Sequence, residues 1–253
     1  MPRICMTVAY VGTRYHGWQV QKNGTTIQEV LEKQVARICT QPIRVHGSGR
    51  TDAGVHAVGQ VAHFDVPERM ASIPWHKALN SLLPADIAIV RTCPVGENFH
   101  ARFSATSKRY SYTLWTEPDY VLPQRAPFVW PVRSIDLEQM DAAASLLCGR
   151  HDFSSFQNAG TDVRQTVRTL MSITRTPGQY PGEWIFSFIA DGFLKQMVRN
   201  IMGLLLRVGQ GRLAANDALR IRAACDRTQA PPTAPAQGLC LEEVHYPGGL
   251  PWR

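Results

Sequence analysis

The chain has 253 residues, 44% of them hydrophobic and 19% charged, and its 27 basic and 20 acidic side chains leave a formal net charge of +7. Such a chain is long enough for one large domain or two modest ones, each with a core. No apolar run approaches the ~20 residues of a membrane span, and Met1-Pro2-Arg3-Ile4-Cys5 lacks the apolar core of a signal peptide, so a soluble cytoplasmic protein with no membrane partner is expected. The six cysteines are scattered and form no C-x-x-C pair, which fits free thiols in a reducing compartment. Residues 1–104 hold 11 basic and 7 acidic side chains, residues 105–253 hold 16 and 13, and no basic tail carries the excess. Only five of the basic residues are lysines. A basic, arginine-rich chain points to a polyanionic partner, because guanidinium forks bind phosphates and stack on bases.

In chain order, Ile4, Met6, Val8 and Tyr10 alternate and predict a strand. Thr26-x-x-Glu29 forms a capping box, followed at helical spacing by Ile27, Val30, Leu31, Val35 and Ile38. Ile43-Arg44-Val45 reads as a short strand, and Ala62, Phe64 and Val66 as one face of another. Between them lies Gly47-Ser48-Gly49-Arg50-Thr51-Asp52-Ala53-Gly54-Val55-His56-Ala57. A short helix with Trp75, Ala78, Leu79 and Leu82 and a strand through Ile87 and Ile89 complete a β-α-β-β-α-β order. The order recurs after residue 104. Lys108, Tyr110, Tyr112 and Leu114 alternate along a strand, and a proline-rich connection leads to an Asp136-capped helix. Strands near 167–176 and 184–190 follow, then an apolar helix from about Phe193 to Val208, a shorter helix near 217–225, and a last strand with Leu239 and Leu241. The expected fold class is α+β, with two similar halves, 1–104 and 105–253. Each is a mainly antiparallel sheet with helices in the ferredoxin- or RRM-like split βαβ arrangement.

Three functions compete for the glycine-rich loop. A dinucleotide fingerprint needs a glycine where Asp52 stands and a helix after it, and a carboxylate would repel a pyrophosphate. A plain tight turn would use Asp52 only to bond local amides. A catalytic site would hold Asp52 ionised beside Arg50, ready as a nucleophile.

Gly-Arg-Thr-Asp-Ala-Gly-Val-His-Ala, continuing to Gln60 and His63-Phe64, resembles the signature of the tRNA pseudouridine synthase A family. So do Phe99-His100-Ala101-Arg102-Phe103-Ser104-Ala105, Lys108-Arg109-Tyr110-x-Tyr112, Asp191-Gly192-Phe193-Leu194, Met197-Val198-Arg199-Asn200 and Ala234-Pro235-Ala236-x-Gly238-Leu239. The connections at 116–134 and 156–182 match loosely. The resemblance implies isomerisation of uridine to pseudouridine at nucleotides 38 to 40 of the tRNA anticodon arm, by a homodimer with its active-site cleft between the two halves, and without cofactor or metal. It makes Asp52 the nucleophile, with attack at uracil C6, attack at C1′ and a glycal route all open. Tyr110 would stack on the target uracil and take part in proton transfer at C5, and Leu239 would pack against the base or Tyr110. The resemblance assigns Arg50 to base flipping, which leaves Arg199 as the partner of Asp52. Arg102, His100, Lys108 and Arg109 are candidate RNA contacts. Lys195 and Arg199, four apart, are expected on one face of the late helix. Tyr112 reads better as a core residue.

Two metal readings are weaker. His151-Asp152 lacks grouped ligands, and His56 and His63 lack the cysteine or carboxylate arrangement of a zinc site. The alternative from another class is a non-catalytic RNA-binding protein with two RRM-like halves, although the aromatic RRM motif is missing.

Overall fold

The computed structural model describes residues 1–160, 163 and 165–250. The strands and helices of the first part of the chain are β1 (Arg3–Tyr10), α1 (Ile27–Cys39), β2 (His46–Gly47), β3 (His56–Asp65), α2 (Trp75–Asn80) and β4 (Ile87–Val95). They are followed by β5 (Ser107–Trp115), β6 (Trp130–Pro131), α3 (Leu137–Leu147), β7 (Gly149–Asp152), β8 (Val167–Pro177), β9 (Glu183–Ala190), α4 (Met197–Gly209), α5 (Asp217–Ala223) and β10 (Leu239–His245). This is the α+β class expected, and β1-α1-β2-β3-α2-β4 is matched in chain order by β5-α3-β8-β9-α4-β10. Contacts group the chain into two compact units, Met1–Thr106 with the chain from Cys240, and Ser107–Leu239. The grouping differs from a linear division at 104/105 because β10 returns to the first unit. There Cys240 and Leu241 pair in parallel with His56 and Ala57 of β3.

In the first unit, β1 lies antiparallel between β4 and β3. The far edge of β3 is shared: β2 pairs with His63 and Ala62, and β10 with His56 and Ala57. The strand expected at Ile43-Arg44-Val45 forms three residues later, because Val45 is tied to α1 instead. Its N–H donates to Glu32 Oε1 (3.0 Å) and its carbonyl accepts from Gln28 Nε2 (2.8 Å). Helix α1 starts where its cap predicts, with Thr26 Oγ1 accepting from the Glu29 N–H at 3.3 Å. Ile27, Leu31, Val35 and Cys39, four residues apart, are fully buried. Each aliphatic side chain so buried contributes roughly 1.5–3 kcal/mol. Helix α2 is fastened to β4 by Asn80, whose side chain accepts from the Ile89 N–H and donates to the Ile89 carbonyl, both at 2.8 Å.

In the second unit β5, β9, β8 and β7 are antiparallel neighbours, and β6 runs parallel beside β5. Strands β6 and β7 are additions to the elements predicted. Asp136 caps α3 as expected, accepting from the Glu138 and Gln139 N–H groups at 3.0 Å. The proline-rich connection is fixed by Arg125, which forks onto the buried Glu183 Oε1 at 2.8 and 2.5 Å. Helix α4 begins at Met197, after Gln196 in a left-handed conformation (φ 62°), rather than near Phe193. Lys195 therefore precedes the helix and donates to the Ala159 carbonyl at 2.7 Å, so the expected Lys195–Arg199 helix face does not exist.

Candidate active site

The loop between β2 and β3 is held by residues that the end of β1 and the β1–α1 connection supply. The Tyr10 hydroxyl lies 2.8 Å from Thr51 Oγ1, and burial raises its pKa well above the usual phenol range, so it stays protonated. The Trp18 N–H donates to the Thr51 carbonyl (3.1 Å), the Gly54 N–H to the Tyr15 carbonyl (3.3 Å), and the Gly12 N–H to His56 Nδ1 (3.1 Å). Gly17 crosses the loop so closely, at φ 82°, that a Cβ there would sit 2.4 Å from the Thr51 carbonyl oxygen. On the other side the buried Gln60 donates to the Gly49 carbonyl (2.9 Å) and meets Ser48 Oγ at 2.6 Å.

Asp52 opens a tight turn closed by the Val55 N–H on its carbonyl at 3.2 Å, with Gly54 at φ 80°. A left-handed residue at that position favours glycine. The clamps leave Asp52 half-buried, between a buried Thr51 and an exposed Ala53, while Arg50 is exposed one residue before Thr51. A fixed backbone with one half-buried carboxylate and one exposed guanidinium suits a reacting group beside a mobile one. Of these supports only Gln60 stood out in the sequence. Tyr10 is expected only as a strand residue, and Gly12, Tyr15, Gly17 and Trp18 give no site reading, although two glycines and two aromatics between a strand and a capping box are the available signal.

Two other candidates of this unit sit on the turn after β4. His100 Nδ1 accepts from the Arg102 and Phe103 N–H groups at 3.1 and 3.3 Å, so that nitrogen organises the backbone, while Arg102 is exposed. His56 and His63 each use Nδ1 as an acceptor for a backbone N–H, that of Gly12 and that of Ala101. Asp152 accepts from the Ser154 N–H at 2.8 Å, and His151 Nε2 lies 3.0 Å from the Cys148 carbonyl. Among the described residues no three His, Cys, Asp or Glu side chains gather in a form that could hold a metal.

In the second unit Tyr110 stands on β5 opposite Phe188 of β9, 7% exposed, its ring edge-to-face with Phe193 at 5.1 Å. Strand alternation puts Lys108 and Tyr112 on the same face as Tyr110 and turns Arg109 to the other, so Arg109 is not gathered with them. Tyr112 is fully buried and donates to the Pro235 carbonyl at 2.7 Å, the core role expected of it. Arg199 lies in the first turn of α4. Its Nε donates to the Ala234 carbonyl (2.8 Å) while its own carbonyl accepts from the Ala234 N–H (3.1 Å). Tyr112 and Arg199 thereby fix the segment that ends in Leu239, which is 5% exposed at the start of β10.

A family model described as tRNA pseudouridine synthase matches residues 6–104 and 143–247. The chain belongs to this family. It is similar to tRNA pseudouridine synthase A of Solidesulfovibrio magneticus, 53% identical over 260 residues that cover 99% of this chain and 95% of the relative. The protein of the same name from Oleidesulfovibrio alaskensis is 48% identical over 98% of this chain and 97% of its own. That from Lawsonia intracellularis is 48% identical over 97% and 100%. The chain is thus an enzyme of an isomerase family, and the clamped loop with Asp52 lies inside the first matched segment. Among the described residues no helix is long and apolar enough to cross a membrane.

Proposed function

We propose that the enzyme acts on tRNA and converts uridines 38, 39 and 40 of the anticodon stem-loop to pseudouridine, with Asp52 as the nucleophile. The observation that carries this reading is the half-buried Asp52 on a turn clamped by Tyr15 and Trp18. In the reaction the C1′–N1 bond breaks, the uracil turns, and C1′ joins C5. The C5 proton leaves and a proton is gained at N1, so atoms balance without a redox partner. A carboxylate can carry the covalent route by adding to C6 or to C1′, and as a base it can take the 2′ proton that leads to a glycal. Arg50, exposed on the same loop, would occupy the space left by the flipped uridine. Tyr110 would offer its ring to the uracil, with Leu239 as an apolar contact, and Lys108 and Arg102 would bind phosphates. We propose further that the enzyme works in the cytoplasm as a homodimer and needs no cofactor.

The test is pseudouridine mapping in an unmodified tRNA transcript treated with the wild type and with Asp52→Asn. The near-isosteric amide keeps the turn but is a very poor nucleophile, so turnover should vanish while tRNA affinity stays within a few fold. Residual turnover of a few per cent would remove Asp52 from the nucleophile's role. Pseudouridine at sites outside the anticodon arm would overturn the substrate position. Arg50→Ala should lower turnover more than binding.

A further inference from the structure

Phe103 is 76% exposed although it sits on one of the most tightly bonded turns of the first unit. The Ser104 N–H donates to the His100 carbonyl (2.9 Å) and the His100 N–H to Ser104 Oγ (3.0 Å). His100 Nδ1 takes the two N–H groups of Arg102 and Phe103. The Ala101 N–H donates to His63 Nδ1 (3.1 Å), and the Ala101 carbonyl accepts from the Tyr246 hydroxyl (2.6 Å). Arg3 holds the approach to the turn, donating to the carbonyls of Glu97 and Phe99 while forking onto Asp65. The backbone under the phenyl ring is thus fixed by these bonds while the ring itself stands in solvent.

The surroundings of the ring define what it could meet. One side rests on the His100 imidazole, with centroids 4.4 Å apart and planes at 33°. His100 in turn contacts His63 (4.6 Å), which stacks on His46 (5.0 Å, 19°). The Arg102 guanidinium carbon lies 5.6 Å from the centre of the phenyl ring. An exposed phenyl ring with a guanidinium over it and a column of imidazoles behind it is the chemistry that accepts an unstacked nucleobase with its phosphate. His63 and His56 lie seven residues apart on β3, a separation on the order of 20 Å along a strand. Since His56 adjoins the Asp52 turn, the ring, linked through His100 to His63, stands toward the other end of β3 from that turn.

We infer that Phe103, flanked by Arg102 and His100, is a stacking platform for an unpaired base of the RNA substrate, distinct from the uridine being isomerised. This rests on the proposal that tRNA is the substrate. The platform holds the RNA by a base whose identity is unimportant, because every base offers a π face.

The experiment compares Phe103→Ala, Phe103→Leu and Phe103→Trp with the wild type, using the same unmodified tRNA transcript. Affinity is measured by filter binding and oligomeric state by sedimentation. Phe103→Ala should weaken binding by roughly tenfold to a hundredfold. Phe103→Leu should be nearly as weak, and Phe103→Trp should bind at least as tightly as the wild type. Thermal melting of all three should match the wild type, since the ring is exposed. Wild-type affinity in Phe103→Ala, or full recovery in Phe103→Leu, overturns stacking. A change of oligomeric state that accompanies the loss of affinity assigns the ring to a second copy of the chain and likewise overturns it. Absence of pseudouridine from the wild-type reaction would defeat the proposed function instead. The two failures are therefore distinct.

Discussion

At the scale of single residues, burial decides what each aromatic and histidine can do. Tyr112 has its hydroxyl committed to the Pro235 carbonyl, whereas Tyr110, two residues earlier on the same strand face, packs its ring on Phe193. Tyr110→Phe keeps the ring, so tRNA affinity should stay near wild type while the single-turnover rate falls, by tenfold or more if the hydroxyl moves a proton. An unchanged rate would take proton transfer away from it. His63 shows the same logic in stability. Burial, with Arg3, His100 and His46 nearby, pushes its pKa down to about 4. The unfolded chain then binds a proton that the folded chain refuses between the ordinary imidazole value of 6.5 and about 4. Stability from this group is complete above that window and is lost as pH falls through it. Melting temperature followed from pH 7 to 4 should decline, and His63→Gln, which keeps an acceptor for the Ala101 N–H, should decline less steeply.

At the scale of elements, the connection between β1 and α1, whose regular structure is a single 3-10 turn at Gly12–Arg14, is what holds the Asp52 turn. Gly17 has both a positive φ and a carbonyl oxygen where its Cβ would stand. Gly17→Ala must therefore displace the Thr51 carbonyl and with it the Asp52 turn. The single-turnover rate should drop by more than tenfold, with a melting temperature lowered by several degrees, as expected when 1–3 kcal/mol is lost from a chain of about this size. Full activity in Gly17→Ala would show that the clamp is dispensable. Asn80 poses a purely structural case. Asn80→Ala leaves the N–H and carbonyl of Ile89 without their side-chain partner and should cost about 1–3 kcal/mol in denaturant unfolding, without a change in the rate of the folded enzyme.

For the whole molecule, net charge is the relevant quantity. With 22 arginines and five lysines distributed along the chain, tRNA binding should be dominated by phosphate contacts and should weaken steeply as salt rises. Arg102→Ala and Lys108→Ala should each flatten the plot of log affinity against log salt, by up to about one unit per lost contact. Phe103→Ala should lower affinity at every salt concentration and leave the slope alone. A slope unchanged in the arginine and lysine variants would remove them from the phosphate interface.

The sequence by itself determined the α+β class, most of the element order and the loop that bears Asp52. These depend on short-range physics: alternation for strands, a four-residue spacing for α1, the side-chain caps Thr26 and Asp136, and a motif of contiguous residues. Only the tertiary structure decided which distant residues hold that loop. The clamp by Tyr10, Gly12, Tyr15, Gly17 and Trp18 consists of backbone and side-chain hydrogen bonds and one close approach across 30 or more positions, which leave no periodic trace. The same holds for the start of α4, where Gln196 takes a left-handed conformation inside an apolar run that reads as continuous helix. It holds too for β10, whose pairing with β3 joins residues 184 positions apart (Cys240 with His56). Strand partners far apart in sequence are chosen by the hydrogen bonds and burial available once both strands exist, and no local pattern records that choice.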